Sequence, residues 1–412
     1  MNKAIIIRLR QRAGDGMEDK NAIMLRPKEE ITRILLSTPS RLVGEYEEDE
    51  VLITHAWTKE SVLRYVTLDR SYFVLSVKTP PIDRSHVLIP DYSATGDVLC
   101  IYLSILYGKR FDNHGSIESL GLFYRPSSAP IDIYDPRLPF NSRTPRPDLK
   151  VELSLHEIKR IAPLMNEEHV DETFLRFLLS GGRFYVHALQ QAESQPEIAF
   201  LDLITCGEIL SNFFEYDQDD LLDPQIKNDL AQVEEKIDDG DKIVSRIRNQ
   251  VFQVKRKFVK MILHLLSPIF FEQTEAKGPF LELDKSDILQ SIKAAYDLRS
   301  RYVHTGVSFG GWIKPNGGFN NEVQLGTPVI DDKELKKILV RSPTLIGMER
   351  IMRFCLLRFI HLYGTPVDDR LDGEGLESRE TLCMSPNKYF CGLKSANLAA
   401  GSCEETDENG SA

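Results

Sequence analysis

The sequence predicts an α+β protein in which a strand-rich, mixed α/β N-terminal domain precedes an all-α helical bundle. Three observations lead there. Short β-favouring runs fill the first 125 residues, prolines crowd residues 126–150, and apolar residues recur with helical periodicity from about 152 to 365. The implied division is 1–125 for the mixed domain, 126–150 for an extended connector, 151–365 for the bundle, and 366–412 for a disordered tail.

In the first region the strand candidates are Glu50–Thr54, Leu63–Leu68, Tyr72–Val77 and His86–Pro90, each β-rich and bounded by polar or proline-containing breaks. Asp97–Tyr107 is apolar nearly all round, which predicts a buried helix. Prolines at 126, 130, 136, 139, 145 and 147 favour extended backbone and set the connector.

Beyond it, Leu175, Leu178 and Leu179 form one helical stripe that Gly181-Gly182 is expected to end. A buried bundle helix opens after Pro196 and runs from Glu197 to Phe214. A longer helical pattern covers 242–271, ended or kinked at Pro268, with Val251, Val254, Phe258 and Ile262 on its apolar stripe. Asp284 or Ser286 is the expected cap of the next helix, which carries Ile288, Ile292 and Ala295. Six glycines and Trp312 make a loop of about 306–330, with Trp312 as its expected anchor. The closing helix is Ile346–Tyr363, with Met348, Ile351, Met352, Cys355, Leu356 and Phe359 as its core face.

Composition bounds the function. With 62 acidic and 51 basic residues the net charge is −11, which argues against broad charge-driven binding of duplex nucleic acid but leaves room for a local basic cleft. No window approaches the roughly 20 apolar residues of a membrane span, and the apolar run after Met1 is too short for a signal peptide, so a cytoplasmic protein without membrane contact is expected. Cys100, Cys206 and Cys355 sit in apolar runs as reduced buried thiols, whereas Cys383, Cys391 and Cys403 lie in the polar tail without a CxxC pair. The histidines show no metal-ligand spacing, and no phosphate-binding glycine loop is present, so neither a metal nor a cofactor is expected. His264, within an apolar helical face, reads as a satisfied core residue.

The chemistry concentrates in Ala295-Tyr296-Asp297-Leu298-Arg299-Ser300-Arg301-Tyr302-Val303-His304-Thr305-Gly306. Arg299 supplies a permanent cation that can fork onto a phosphate, and His304 a proton donor or acceptor near neutral pH. Such a pair can cleave RNA without a metal, because the 2′-hydroxyl is a built-in nucleophile. Five helical steps rotate about 140° beyond a full turn, so the two side chains do not share a face of an ideal helix. Either the helix unwinds near Tyr302, or the site combines residues from two chains. Ser300 can support the pair by hydrogen bonding, Arg301 by a further phosphate contact and Tyr302 by stacking on a base. Each has an ordinary structural role as its competitor. Lys255, Arg256, Lys257 and Lys260, with Arg246 and Arg248, form the best local basic patch, a backbone track for RNA or a solvated helical face opposite Glu234 and Glu235.

Together with Cys206-Gly207-Glu208-Ile209-Leu210 upstream and the closing helix Leu345 to Arg358, this segment resembles the HEPN superfamily, in particular its Apea-like branch. The resemblance covers about residues 160–365. It implies an HEPN-like helical bundle that dimerises and a metal-independent endoribonuclease. Arg299 and His304 of two protomers would act around the dimer axis, leaving 2′,3′-cyclic phosphate and 5′-hydroxyl ends. It also implies a setting in toxin or anti-phage defence, with the N-terminal domain, whose ligand the sequence leaves open, sensing a signal or selecting RNA. The competing class is a non-catalytic dimerisation or nucleotide- or RNA-binding module. There, Arg299 pairs with an acid, Glu208 being the candidate, and His304 closes a helix near its negative end.

Overall fold

β1 (Glu30–Thr38) alternates buried Thr32, Ile34 and Leu36 with more exposed neighbours, the period-two signature of a strand with one covered face. It is central in an antiparallel sheet with β2 (Tyr46–Glu48), β3 (Val51–His55), β4 (Ser71–Thr79), β5 (Asp112–Ser119) and β6 (Leu122–Phe123). Among the described residues the sheet has six strands in the order β2-β3-β4-β1-β5-β6. β1 pairs with β4 from Glu30↔Thr79 to Thr38↔Ser71, and with β5 through a register shift. The structure, a computed structural model, describes residues 30–48, 50–56, 70–79, 92–119, 121–127, 134–165, 170–216, 221–222, 224–250 and 254–376. The expected strands at 63–68 and 86–90 lie outside them, as do Cys383, Cys391 and Cys403. β3 and β4 match the expected strands, whereas β1, β5 and the short β2 and β6 were not foreseen.

α1 (Ser93–Tyr107) packs against β1 and β5 and is buried throughout its second half, as its all-round apolar sequence requires. It has no basic residue in its last turn, so its terminal carbonyls need partners from elsewhere. Two buried arginines provide them. Arg353 donates from Nε to the Ile105 carbonyl at 3.3 Å and from Nη2 to that of Leu106 at 3.0 Å, and Arg146 Nη1 reaches the Gly108 carbonyl at 2.9 Å. Residues 134–150, expected as an extended connector, are instead folded into the core, with Leu138, Phe140, Arg146 and Leu149 all buried.

The bundle is built from α2 (Glu172–Gln191), α3 (Pro196–Ser211), α6 (Val254–Leu265), α7 (Ile288–Thr305), α8 (Lys333–Arg341) and α9 (Leu345–Tyr363), with single helical turns at Ala162–Met165 and Gly310–Ile313. α9 is its axis, packing against α1, α2, α3 and α6, and every residue from Leu345 to His361 is buried. The one-sided core face expected for α9 therefore extends around its whole circumference. Its charged side chains find partners in the interior. Arg353 Nη1 donates to Asp148 at 2.7 Å, Arg350 Nη1 to Glu322 at 2.7 Å, and Glu349 accepts from Arg146 Nη2 at 2.7 Å and from the Tyr185 hydroxyl at 2.6 Å. Arg146 also pairs with buried Glu275. Buried charges persist only when paired in this way.

Three sequence expectations change here. Gly181-Gly182 does not end a helix, because α2 runs through to Gln191 and uses Gly182 for close approach to α1, where an added Cβ would lie 2.3 Å from Ile101 Cγ2. The helical pattern of 242–271 is broken, with α6 ending at Leu265 and a 3₁₀ turn at Pro268–Phe271. Ordered structure also continues past 366, where Val367 and Leu371 are buried and a 3₁₀ turn spans Asp369–Leu371. The remainder of the tail, from 377, lies outside the described residues.

The described residues up to Ser211 and from 254 on form one compact unit, which holds the sheet, residues 134–150 and the helices named above. A second unit within Asn212–Phe252 contains α4 (Pro224–Lys236) and α5 (Gly240–Gln250), joined by a small core of Leu222, Leu230 and Val244. Among the described residues no helix is long and apolar enough to cross a membrane.

Candidate functional site at the end of α7

α7 begins after Asp287, not at a cap from Asp284 or Ser286, although Asp284 does bind the Ser286 amide at 2.7 Å. Its buried side carries Ile288, Ile292, Ala295 and Leu298, the spacing of one helical face, and packs on α3, α6 and α8. The helix does not unwind near Tyr302. It continues to Thr305 and stops at Gly306, whose φ of 67° is the left-handed conformation glycine adopts without strain and whose amide donates to the Tyr302 carbonyl at 2.8 Å. Arg299 and His304 therefore diverge by about 140° around one continuous helix.

Arg299 is half-buried and held by α3. Its Nη2 donates to Glu208 Oε2 at 3.2 Å, and Glu208 Oε1 accepts from the Tyr296 hydroxyl at 2.9 Å. The guanidinium also lies 5.7 Å from the Tyr296 ring centroid, and its Nε is buried without a hydrogen-bond partner among the described residues. Burial, the Glu208 hydrogen bond and the Glu208 charge push the Tyr296 phenol up to about 12, so it stays a donor across the physiological range. His304, in the last turn, is exposed together with Val303, Thr305 and Val307.

The neighbouring candidates have partners of their own. Arg301 forms an ion pair with Asp332, the N-cap of α8, and so ties α7 to α8. Tyr302 packs edge-on against Phe309, with ring centroids 5.5 Å apart. Ser300 is half-buried and makes no side-chain hydrogen bond among the described residues. In the α6 patch, Lys255 pairs with Asp297 of α7, and Arg256, Lys257 and Lys260 are half-buried on the same helix. The side chains of Arg246 and Arg248 lie outside the described residues.

The glycine-rich loop after α7 is pinned by a residue the sequence did not single out. Glu197 Oε1 accepts from the amides of Phe309 at 2.5 Å and Gly310 at 2.7 Å and from the Ser308 hydroxyl. Desolvation favours the neutral acid, but these hydrogen bonds outweigh it and hold the Glu197 carboxyl below its ordinary value. Phe309, 1% exposed and set edge-on against Phe200, anchors the loop, whereas Trp312 is 38% exposed. Trp312 was the wrong aromatic because burial here follows contact with α3, which spacing does not reveal.

Among the described residues there is no group of three or more His, Cys, Asp or Glu side chains placed to hold a metal ion. His264, expected to be satisfied, bonds from Nε2 to the Tyr363 hydroxyl at 2.9 Å. A second exposed imidazole, His187 on α2, bonds from Nδ1 to the largely buried Asp202 of α3 at 2.6 Å. Burial raises the Asp202 carboxyl despite the pull of His187. Comparisons with protein-family models, curated proteins and solved structures find no match for the chain.

Proposed function

We propose that the chain is a metal-independent endoribonuclease of HEPN type, cleaving RNA at a composite site in which Arg299 and His304 come from two copies of α7. The observation that carries this reading is the continuity of α7 to Thr305, with an exposed His304 beyond an oriented Arg299. One straight helix cannot aim both residues at one phosphate, and a two-fold pairing of helix ends can.

In this scheme His304 takes the 2′-hydroxyl proton or delivers a proton to the departing 5′-oxygen. The 2′-oxygen forms its bond to phosphorus as the P–O5′ bond breaks. Arg299 offsets the charge that builds on the equatorial oxygens. Glu208 and Tyr296 act as positioning residues by fixing the guanidinium. Arg301 supports the site through the α8 anchor and Tyr302 through loop packing rather than by direct substrate contact, Ser300 stands ready to hydrogen-bond the pair, and Lys255, Arg256, Lys257 and Lys260 contribute positive potential on the α6 side. A setting in defence or toxicity accords with this chemistry.

A second reading is favoured by the Arg299–Glu208 pair itself, since an arginine already bound to an acid can serve purely to join α7 to α3. The chain is then a non-catalytic dimerisation or nucleotide- or RNA-binding module. Purified protein incubated with RNA and a chelator separates the two. Cleavage to cyclic-phosphate ends, lost in His304→Ala and in Arg299→Lys with melting temperatures preserved, supports catalysis. Intact RNA with wild-type protein, or undiminished cleavage by both variants, removes it.

A further inference from the structure

α8 presents an apolar face to α7 through Leu335 and Leu339, which are 5% and 0% exposed. Its other side is strongly basic. Lys333, Lys336, Lys337, Val340 and Arg341, with Thr327, line a groove of about 430 Å³. Lys337 shares its charge with Glu334 at 3.3 Å, whereas Lys333, Lys336 and Arg341 form no ion pair among the described residues. Four cations with a single partial counterion stand out in a protein of net charge −11.

We infer that this groove seats the phosphate backbone of single-stranded RNA, an inference that rests on the ribonuclease reading and names where its substrate lies. Three features favour that occupant. The cations occupy i, i+3, i+4 and i+8, so they run about 12 Å along the helix and address successive phosphates rather than one small anion. The groove is shallow and open to solvent, which admits an extended strand. Val340, 44% exposed between the charged heads, offers an apolar surface to ribose or base. The location is functional as well, because Asp332, which caps α8 through the Glu334 and Leu335 amides, also binds Arg301 of α7. A strand held on α8 thus lies on the helix anchored to the Arg299–His304 segment. In a chain of net charge −11, such a basic strip is a favoured point of approach for RNA.

The test is binding of a fluorescent 2′-O-methyl RNA, which lacks the nucleophile and cannot be cleaved, measured by anisotropy over a salt series. Lys333→Gln/Lys336→Gln/Arg341→Gln should weaken binding by about tenfold or more and flatten the log affinity against log salt slope by about 2. Lys333→Arg/Lys336→Arg, which keeps the charges, should bind as wild type. Unchanged affinity and slope in the triple variant overturn the inference, as does wild-type protein that binds phosphatidylserine vesicles or a polyglutamate peptide but not this RNA. Groove-dependent binding by a protein that never cleaves RNA leaves the inference standing and removes only the nuclease reading. Cleavage with unchanged KM and unchanged binding in the triple variant removes only the groove.

Discussion

Glu208 spans two helices to hold Arg299. Its Oε2 is 3.2 Å from the guanidinium Nη2, while its Oε1 takes the Tyr296 hydroxyl at 2.9 Å. Glu208→Gln preserves an acceptor for both groups and removes the charge. If the pair positions Arg299 for catalysis, kcat for RNA cleavage falls about tenfold with KM little changed. The pair is only partly buried, so unfolding free energy changes by no more than about 1 kcal/mol. Single-turnover cleavage and urea denaturation on the same variant check this. A loss of stability much larger than that, with cleavage intact, marks the pair as structural.

The pair Arg353–Asp148 is of another kind, with side chains 0% and 2% exposed. Asp148→Asn or Arg353→Met leaves an uncompensated buried charge and should cost about 3–5 kcal/mol, read from urea denaturation. The double variant should recover part of that loss, because neither charge then remains without its partner.

Acid should expose the same network. Asp148 pays a desolvation cost that raises its pKa, but Arg353, Arg146 and Arg350 outweigh it and lower the carboxyl from 3.8 to about 2. A folded-state value below the unfolded one means stability that is present above about pH 4 and lost as pH falls through 2. Glu275 works in the opposite sense, since burial raises its carboxyl beyond what Arg146 lowers. Denaturation midpoints measured from pH 5 down to pH 2.5 should therefore fall, and should fall less steeply in Asp148→Asn.

Gly182 and Gly347 are packing glycines with different tolerance. A Cβ on Gly182 meets the Ile101 Cγ2 methyl at 2.3 Å, which yields only by rotation about a stiff χ1 or a small shift of α1, so Gly182→Ala should cost about 1–3 kcal/mol. A Cβ on Gly347 meets the Glu322 backbone oxygen at 2.2 Å, which cannot move without the loop. Gly347→Ala should therefore be the more damaging, with the lower melting temperature of the two.

Glu197→Ala removes the acceptor for the Phe309 and Gly310 amides. Hydrogen exchange at those two amides should accelerate while the core of α9 keeps its protection, with a stability loss of about 1–3 kcal/mol. Equal exchange in wild type and variant would show that Phe309 packing alone holds the loop.

Legibility in the sequence followed the length of the periodic signal. α1, α3 and α9 were readable because dense apolar runs leave few alternatives. β1 was missed although Ile34 and Leu36 alternate with Arg33 and Leu35, because its last residues are buried on both faces and blur the period. Glu208 was found as the partner of Arg299, a pairing that only two neighbouring helices could realise. The cations of α8 stand at i, i+3, i+4 and i+8 but were not singled out, since a groove is a property of the surface between elements.

By itself the sequence determined the two kinds of architecture, the helix that bears Arg299 and His304, and the 140° or so that separates them, because backbone periodicity is local physics. Tertiary structure decided which charges are buried. Arg146, Arg350 and Arg353 look like surface residues in sequence, yet Arg146 and Arg353 close the end of α1 and the three neutralise Asp148, Glu322 and Glu349 in the core. It also decided that α7 stays helical to Gly306 and that the end of the helix is tied to α8 through Arg301 and Asp332. Those outcomes depend on partners 28 to 247 residues away, brought together by the packing of neighbouring elements, and no local pattern encodes them.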